Sequence, residues 1–175
     1  MFCYTQLMKE IIGDYEAFIN TISSELPNLG VDRSELAMMD HLCYRVGSQA
    51  RYDTLKAVLS SNAKFLGETV VSGRNISTFE LADYLEVAGW TVPYLELPEP
   101  KEGSHYPEGL EHAELVVIGG LERFLTKHRE LPFDLKGMEK PINPEAGLKA
   151  RGISVKFHEL SLGAVVRIEN RLSQD

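Results

Sequence analysis

Two short stretches of this chain share one pattern: residues 40–46 read DHLCYRV, and residues 111–117 read EHAELVV. Each stretch opens with an acidic residue followed by a histidine, His41 in the first and His112 in the second. Each then continues with residues that favour a β-strand and is followed by glycine within two residues. The repeated opening indicates that the chain contains two related halves, and that each half begins with its own strand.

The sequence after residue 46 predicts the remaining elements of the first half. Apolar residues at helical spacing follow the first strand, which indicates a helix. Two strand-like runs, residues 64–71 and 76–81, then flank a turn-like tetrapeptide of the kind that closes a β-hairpin. A last strand is predicted over residues 90–97. We therefore assign a βαβββ module to residues 40–100.

The second module, residues 101–175, starts with a linker rich in proline and glycine and then repeats the same order. The predicted elements are a strand over 112–118, a helix over 121–128, a strand over 133–140 and a strand over 153–160. Residues 141–147 have the composition of a loop, and residues 165–172 are interpreted as a closing strand or a helical turn. One strand of this module is therefore expected to be short or irregular.

Residues 1–39 are predicted to form an N-terminal helix and a connector. Apolar residues recur at three- and four-residue spacing from Tyr4 to Leu26, with Gly13 as a weak point. Residues 32–39 are interpreted as the connector into the first strand. The predicted fold class is α+β, in which two tandem βαβββ modules form one curved mixed sheet around a metal cavity, with an added N-terminal helix.

The composition restricts the classes of partner. The chain has 175 residues and a formal net charge of −8, which disfavours binding to the phosphates of nucleic acid. No apolar run approaches the roughly 20 residues that a membrane span requires. The two cysteines form no CxxC pair. We expect a cytoplasmic protein, monomeric or homodimeric, that binds a small anionic ligand and neither nucleic acid nor membrane.

Strand alternation places the polar residues of both halves on one face of the sheet, because successive side chains of a strand point to opposite sides. That face collects three imidazoles and several carboxylates, and burying them is costly unless a cation pairs with them. The predicted metal ligands are His41, Glu96, His112 and His158. Such nitrogen and oxygen donors suit a divalent ion, Zn, Ni, Mn, Co or Fe, whose identity the sequence leaves open.

Further residues on the predicted cavity face are candidates for substrate binding and catalysis. Arg45, Tyr94 and Lys156 are predicted to bind an anionic substrate, although surface ion pairs with neighbouring acids would explain the two cations equally well. Glu96 or Glu114 is the predicted catalytic base. Taken singly, each histidine is more often a hydrogen-bonded structural residue than a ligand. Cys43 is interpreted as a small buried residue, and His105 and His128 receive no role.

Four motifs in this order resemble the YecM-like family of the vicinal oxygen chelate superfamily, which includes the glyoxalases and extradiol dioxygenases. They are residues 40–45, 95–98, 106–112 and 153–158, and the resemblance covers roughly residues 5–162. It implies paired βαβββ modules whose metal ligands come from the first and last strands of each half. Because the glyoxalase pattern commonly ends with a glutamate, Glu159 is the alternative to His158 if the register slips by one residue.

Two functional hypotheses follow. The first is a metal-dependent enzyme of isomerase, lyase or dioxygenase type, in which the ion polarises a substrate oxygen and a carboxylate moves a proton. The second is a non-catalytic module that binds or sequesters a small ligand on the same fold. A degenerate site kept for protein interaction is a weaker third reading.

Overall fold

The computed structural model describes residues 4–71, 73–103 and 106–172. Its helices are α1 (Tyr4–Ile12), α2 (Tyr15–Asn28), α3 (Gln49–Asn62), α4 (Leu121–Lys127) and α5 (Leu162–Leu172). Its strands are β1 (Leu36–Arg45), β2 (Ala63–Val71), β3 (Arg74–Val87), β4 (Trp90–Pro98), β5 (Gly109–Val117), β6 (Phe133–Asp134), β7 (Ala146–Ala150) and β8 (Ile153–His158). None of the described helices has both the length and the apolar character of a membrane span.

The described strands form one mixed sheet in the order β2-β3-β4-β1-β5-β8-β7-β6. Each half contributes four neighbouring strands, and the two halves meet where β1 and β5 pair antiparallel. Within the halves, β1 pairs parallel with β4, and β5 pairs parallel with β8. The order 2-3-4-1 is therefore repeated as 6-7-8-5 from the opposite edge. This arrangement confirms the α+β class with two βαβββ modules in one mixed sheet.

Helices α1 to α4 cover one face of the sheet, where the apolar positions of the central strands form the core. Leu42, Leu95, Leu115 and Phe157 lie on four adjacent strands and are completely buried. Strand alternation places these residues on the face opposite to the predicted ligands. Since burial of a large apolar side chain contributes about 1.5–3 kcal/mol, this core fixes the face on which the polar residues must emerge.

The N-terminal region differs from the sequence prediction in two places. The predicted helix from Tyr4 to Leu26 is two helices, because Gly13 has a φ of +78° and Asp14 caps the second helix by accepting from Ala17 N at 3.0 Å. The predicted connector over residues 32–39 is wrong in its second half, since β1 begins at Leu36.

The second module also differs in its outer strands and at its end. The predicted strand over residues 133–140 is wrong beyond Asp134, because a 3-10 turn over Lys136–Glu139 follows immediately. Pairing resumes in β7, whose first residue lies inside the segment predicted as a loop. Residues 165–172 belong to a helix of 11 residues and not to a closing strand.

Candidate metal centre

The polar face of the sheet borders a cavity of about 940 Å³. Side chains from both modules line it, including all four predicted metal ligands and both predicted bases. The lining residues that were predicted from strand alternation are His41, Cys43, Glu96, His112, Glu114, Ser154, Lys156 and His158. Helix α5 contributes Leu162, Val165 and Val166, so this helix lies along the cavity and not on the face covered by the other helices.

The cross-strand register shows which residues of the two modules occupy equivalent positions. The parallel pairs are His41–Tyr94 and Cys43–Glu96 between β1 and β4, and Glu114–Lys156 and Val116–His158 between β5 and β8. In this repeat, His41 corresponds to Glu114 and Glu96 corresponds to His158. His41 and Glu114 are also direct partners where β1 and β5 meet. The register thus favours Glu114 over His112 as the counterpart of His41.

The carboxylate of Glu114 lies among the three predicted imidazole ligands. Its Oε1 is 3.4 Å from His41 Nε2 and 3.1 Å from His112 Nε2. Its Oε2 is 3.4 Å from His158 Nε2. Glu96 approaches from the other side, with its Oε2 3.5 Å from His41 Nε2. His41, Glu96 and Glu114 offer three ligand atoms within 4.8 Å of one another.

Several polar atoms near the Glu114 carboxylate are buried and lack a hydrogen-bond partner among the described residues. They are Asp40 Oδ1, His41 Nε2 and both ring nitrogens of His158. Their residues are at most 2% exposed. An unsatisfied buried polar group costs about 1–3 kcal/mol, so this cluster destabilises the folded protein when no cation is bound. A cation would satisfy the nitrogen and oxygen lone pairs together.

Asp40 reaches the cavity because of an irregularity in β1. The pairing with β5 shifts register between Met39 and His41, so Asp40 and His41 do not alternate as regular strand neighbours. Asp40 Oδ2 lies 2.9 Å from His41 Nδ1 and accepts from Leu162 N at 2.8 Å. The sequence prediction did not assign Asp40 to this site, since strict alternation places it on the opposite face.

The electrostatics of the site keep the carboxylates of Glu96 and Glu114 ionised. Burial opposes charge on His41, but the carboxylates of Glu114 and Glu96 outweigh burial and hold the pKa of His41 well above its ordinary value. Burial opposes charge on Glu114 too, yet the pKa of Glu114 is well below its ordinary value because of His41 and His112. The pKa of Glu96 is lowered against the effect of burial, chiefly by His41. Both predicted bases are therefore proton acceptors at neutral pH.

The three predicted substrate-binding residues are already engaged by other groups. Lys156 Nζ lies 2.8 Å from Glu114 Oε1 and 3.1 Å from Glu145 Oε1. Arg45 forms an ion pair with Glu111. Neither Arg45 nor Tyr94 is among the described residues that line the cavity. Lys156 is thus the predicted cation that borders the cavity, and carboxylates balance its charge.

Tyr94 instead contacts helix α5. A Cβ at Gly163 would lie 2.1 Å from the Tyr94 hydroxyl oxygen, so only glycine allows this approach. Together with the bond from Leu162 N to Asp40, this contact holds the start of α5 against the cavity face. No signal in the sequence predicts this position of α5, because an amphipathic pattern does not identify the surface that the helix covers.

The remaining candidates have structural partners. Glu159 Oε1 accepts a hydrogen bond from Leu121 N at 2.7 Å, at the start of α4. This carboxylate therefore caps the helix and does not line the cavity. His128 Nε2 lies 3.0 Å from Glu35 Oε2, away from the cavity. His105 lies outside the described residues. Of the two alternatives for the last ligand, His158 is the one that faces the cavity.

The sequence pattern of a family described as YecM protein matches residues 7–169 of the chain. This chain belongs to the YecM family. It is 27% identical to Protein YecM of Escherichia coli (strain K12), in an alignment of 177 residues that covers 93% of this chain and 94% of that protein. A Haemophilus influenzae protein described as uncharacterized is 31% identical over 105 residues, 60% of this chain and 54% of that one.

Solved structures place this YecM family member in the vicinal oxygen chelate fold. A structure described as Protein EC4020 has a TM-score of 0.78 and 27% identity, with 97% of both chains covered. A variant of Streptomyces coelicolor methylmalonyl-CoA epimerase in complex with 2-nitronate-propionyl-CoA has a TM-score of 0.52 and 15% identity, covering 73% of this chain and 99% of that chain. The likeness to the epimerase shows the fold alone.

Proposed function

We propose that this YecM family member binds one divalent metal ion in the cavity and uses it on a small anionic substrate that chelates the ion through oxygen atoms. The reaction class is isomerase, lyase or dioxygenase. The observation that carries the proposal is the cluster of buried, unsatisfied ligand atoms at His41 and His158 beside Glu114. A metal supplies Lewis-acid stabilisation of negative charge that develops on a substrate oxygen.

The donors proposed for the ion are His41, Glu96, Glu114 and His158. This set keeps three of the four ligands predicted from sequence and exchanges His112 for Glu114, the counterpart of His41 in the strand register. The nitrogen–oxygen separations of 3.4–3.5 Å are close to those of donors that share one ion at about 2.0–2.2 Å. Two imidazoles and two carboxylates suit Zn, Ni, Mn, Co or Fe.

The residues around these donors have distinct roles in the proposal. Asp40 accepts the Nδ1–H of His41, so Nε2 is the nitrogen directed at the ion, and metal binding there displaces the Nε2 proton. Lys156 borders the cavity and holds Glu114 in place. Glu96 has the more exposed side chain of the two predicted bases, 18% against 7% for Glu114. Glu96 is therefore the carboxylate better placed to exchange a proton with a substrate.

Elemental analysis of protein purified without a chelating tag tests the metal site. We expect the wild type to hold one divalent ion per chain more than His41→Ala, Glu114→Gln or His158→Ala. His128→Ala is the matched control, because it removes a buried histidine that bonds to Glu35 outside the cavity. Unchanged metal content in the His41 and His158 variants would refute the site.

Substrate screening separates the enzyme from a binding module. 2-Oxo acids, hemithioacetals and catechols are suitable probes because each presents neighbouring oxygen atoms to one ion. Turnover that disappears on chelation supports the enzyme. Thermal stabilisation by a probe without turnover supports the alternative, a non-catalytic ligand-binding protein.

A further inference from the structure

A second group of potential ligands lies beside the proposed centre, on the next row of the sheet. Cys43 and His112 are direct partners across β1 and β5, and Glu111 precedes His112. Glu111 Oε2 lies 4.0 Å from Cys43 Sγ and 3.8 Å from His112 Nδ1. The three donor atoms lie within 4.8 Å of one another, and all three residues line the cavity. Sulfur, nitrogen and oxygen donors therefore converge where the cavity gives access.

The orientation of His112 directs one nitrogen to each group of ligands. Its Nε2 lies 3.1 Å from Glu114 Oε1, and an ionised carboxylate can only accept, so Nε2 carries the proton. In the neutral ring the lone pair is then on Nδ1, which faces Glu111 Oε2. Two acceptor atoms that face each other at 3.8 Å cannot form a hydrogen bond with each other. A cation between them would bind both.

Glu111 is held in position by residues outside the group. Arg45 forms an ion pair with Glu111 Oε1, and the guanidinium lies 4.2 Å from the centre of the Tyr106 ring. The second oxygen of Glu111 is the one that faces Cys43 and His112. Because a charged and stacked arginine fixes the carboxylate, the oxygen donor is oriented before any ion arrives.

We infer that Cys43, Glu111 and His112 form a second metal site, selective for ions such as Zn²⁺ and Co²⁺ that accept sulfur together with nitrogen and oxygen. Binding forms a metal–sulfur bond and releases the thiol proton to solvent. Donors around a tetrahedral Zn²⁺ are separated by about 3.3–3.7 Å, so the two distances to Glu111 Oε2, 4.0 Å and 3.8 Å, need to shorten by only a few tenths of an ångström. This site is separate from the ion proposed at His41 and does not depend on it.

Cobalt titration tests the second site directly, since thiolate bound to Co²⁺ gives a near-ultraviolet charge-transfer band that nitrogen and oxygen ligands do not give. The titration uses the 175-residue chain carrying Cys3→Ser, which leaves Cys43 as the one cysteine of this sequence. We expect the saturated band to have the intensity of one thiolate-bound Co²⁺ per chain. Adding Cys43→Ser is expected to remove the band and one bound ion.

Two further variants distinguish loss of the second site from misfolding and from loss of the first metal centre. Glu111→Gln retains the thiol but removes the charged oxygen donor, and we expect it to weaken the titration. His41→Ala disrupts the first centre and is expected to leave the band intact. Absence of the band in folded Cys3→Ser protein, or its persistence after Cys43→Ser, would overturn the inference. If the band appears while the His41 variant loses no other ion, the second site stands and the proposed function fails.

Discussion

Asp40 Oδ2 lies 2.9 Å from His41 Nδ1, and both side chains are almost completely buried. The two residues are sequence neighbours, yet they meet on the cavity face because the β1–β5 pairing shifts register between Met39 and His41. This contact fixes the ring of the histidine that the proposed ion requires. It also joins the site to α5, because the same oxygen accepts from Leu162 N.

Asp40→Asn is therefore expected to weaken metal binding by about 10- to 100-fold, as is usual when a carboxylate behind a histidine ligand is lost. The affinity is measured by competition with a chromogenic chelator. Asp83→Asn is the control, since it makes the same change of charge at an exposed position. Equal affinities in the two variants would show that Asp40 does not orient His41.

Gly163→Ala tests the packing of α5 against the cavity face of the sheet. Alanine normally favours a helix over glycine by about 1 kcal/mol, but its Cβ would lie 2.1 Å from the Tyr94 hydroxyl oxygen. We expect a net destabilisation of about 1–3 kcal/mol and faster hydrogen exchange in residues 162–172. Tyr94→Ala in the same chain should remove the clash and restore slow exchange. A simple gain in stability in Gly163→Ala would contradict the close packing.

A network around Glu68 predicts a pH dependence that belongs to the fold and not to the metal site. Glu68 Oε2 accepts from Tyr52 and Ser77 at 2.8 Å each and pairs with Lys56. The bond from Lys56 is the largest cause that lowers the pKa of Glu68. A lowered carboxyl pKa stabilises the fold above the ordinary value, and this stabilisation is lost as the pH falls through the folded-state pKa.

Glu68→Gln should therefore reduce the free energy of unfolding by about 0.5 kcal/mol at pH 7, because solvent screens the exposed ion pair, and by less below pH 4. Urea denaturation between pH 3 and pH 7 measures both effects. Glu86→Gln, at an exposed position, is the control. A loss that stays constant over this range would show that the charge of Glu68 does not contribute.

Removal of metal is expected to abolish the binding of anionic chelators such as oxalate. Asp40, Glu96, Glu114 and Glu145 border the cavity, and Lys156 is already paired with two of them. An anion entering the metal-free cavity would meet uncompensated negative charge. Calorimetric titration with oxalate before and after reloading with Zn²⁺ or Mn²⁺ measures the effect. Equal binding by chelator-treated protein would contradict it.

The sequence alone determined the two βαβββ modules and the face of the sheet on which the proposed ligands lie. Alternation within a strand is a local property, so Leu42, Leu95 and Phe157 could be assigned to the core and His41, Glu96 and His158 to the cavity. The family motifs added the order of the ligands along the chain. Even the competition between His158 and Glu159 follows from alternation, because neighbouring residues cannot share one face of a regular strand.

Only the tertiary structure decided which residues meet across the strands. The pairing of His41 with Glu114 depends on register between distant segments, and the shift near Asp40 breaks the alternation that the sequence rule assumes. The position of α5 depends on the contact between Gly163 and Tyr94. Such contacts form only after the core has fixed the sheet, because no residue near them in sequence specifies their partner. For this reason the sequence predicts most residues of the proposed site, whereas the strand register adds Asp40 and favours Glu114 over His112 as a ligand.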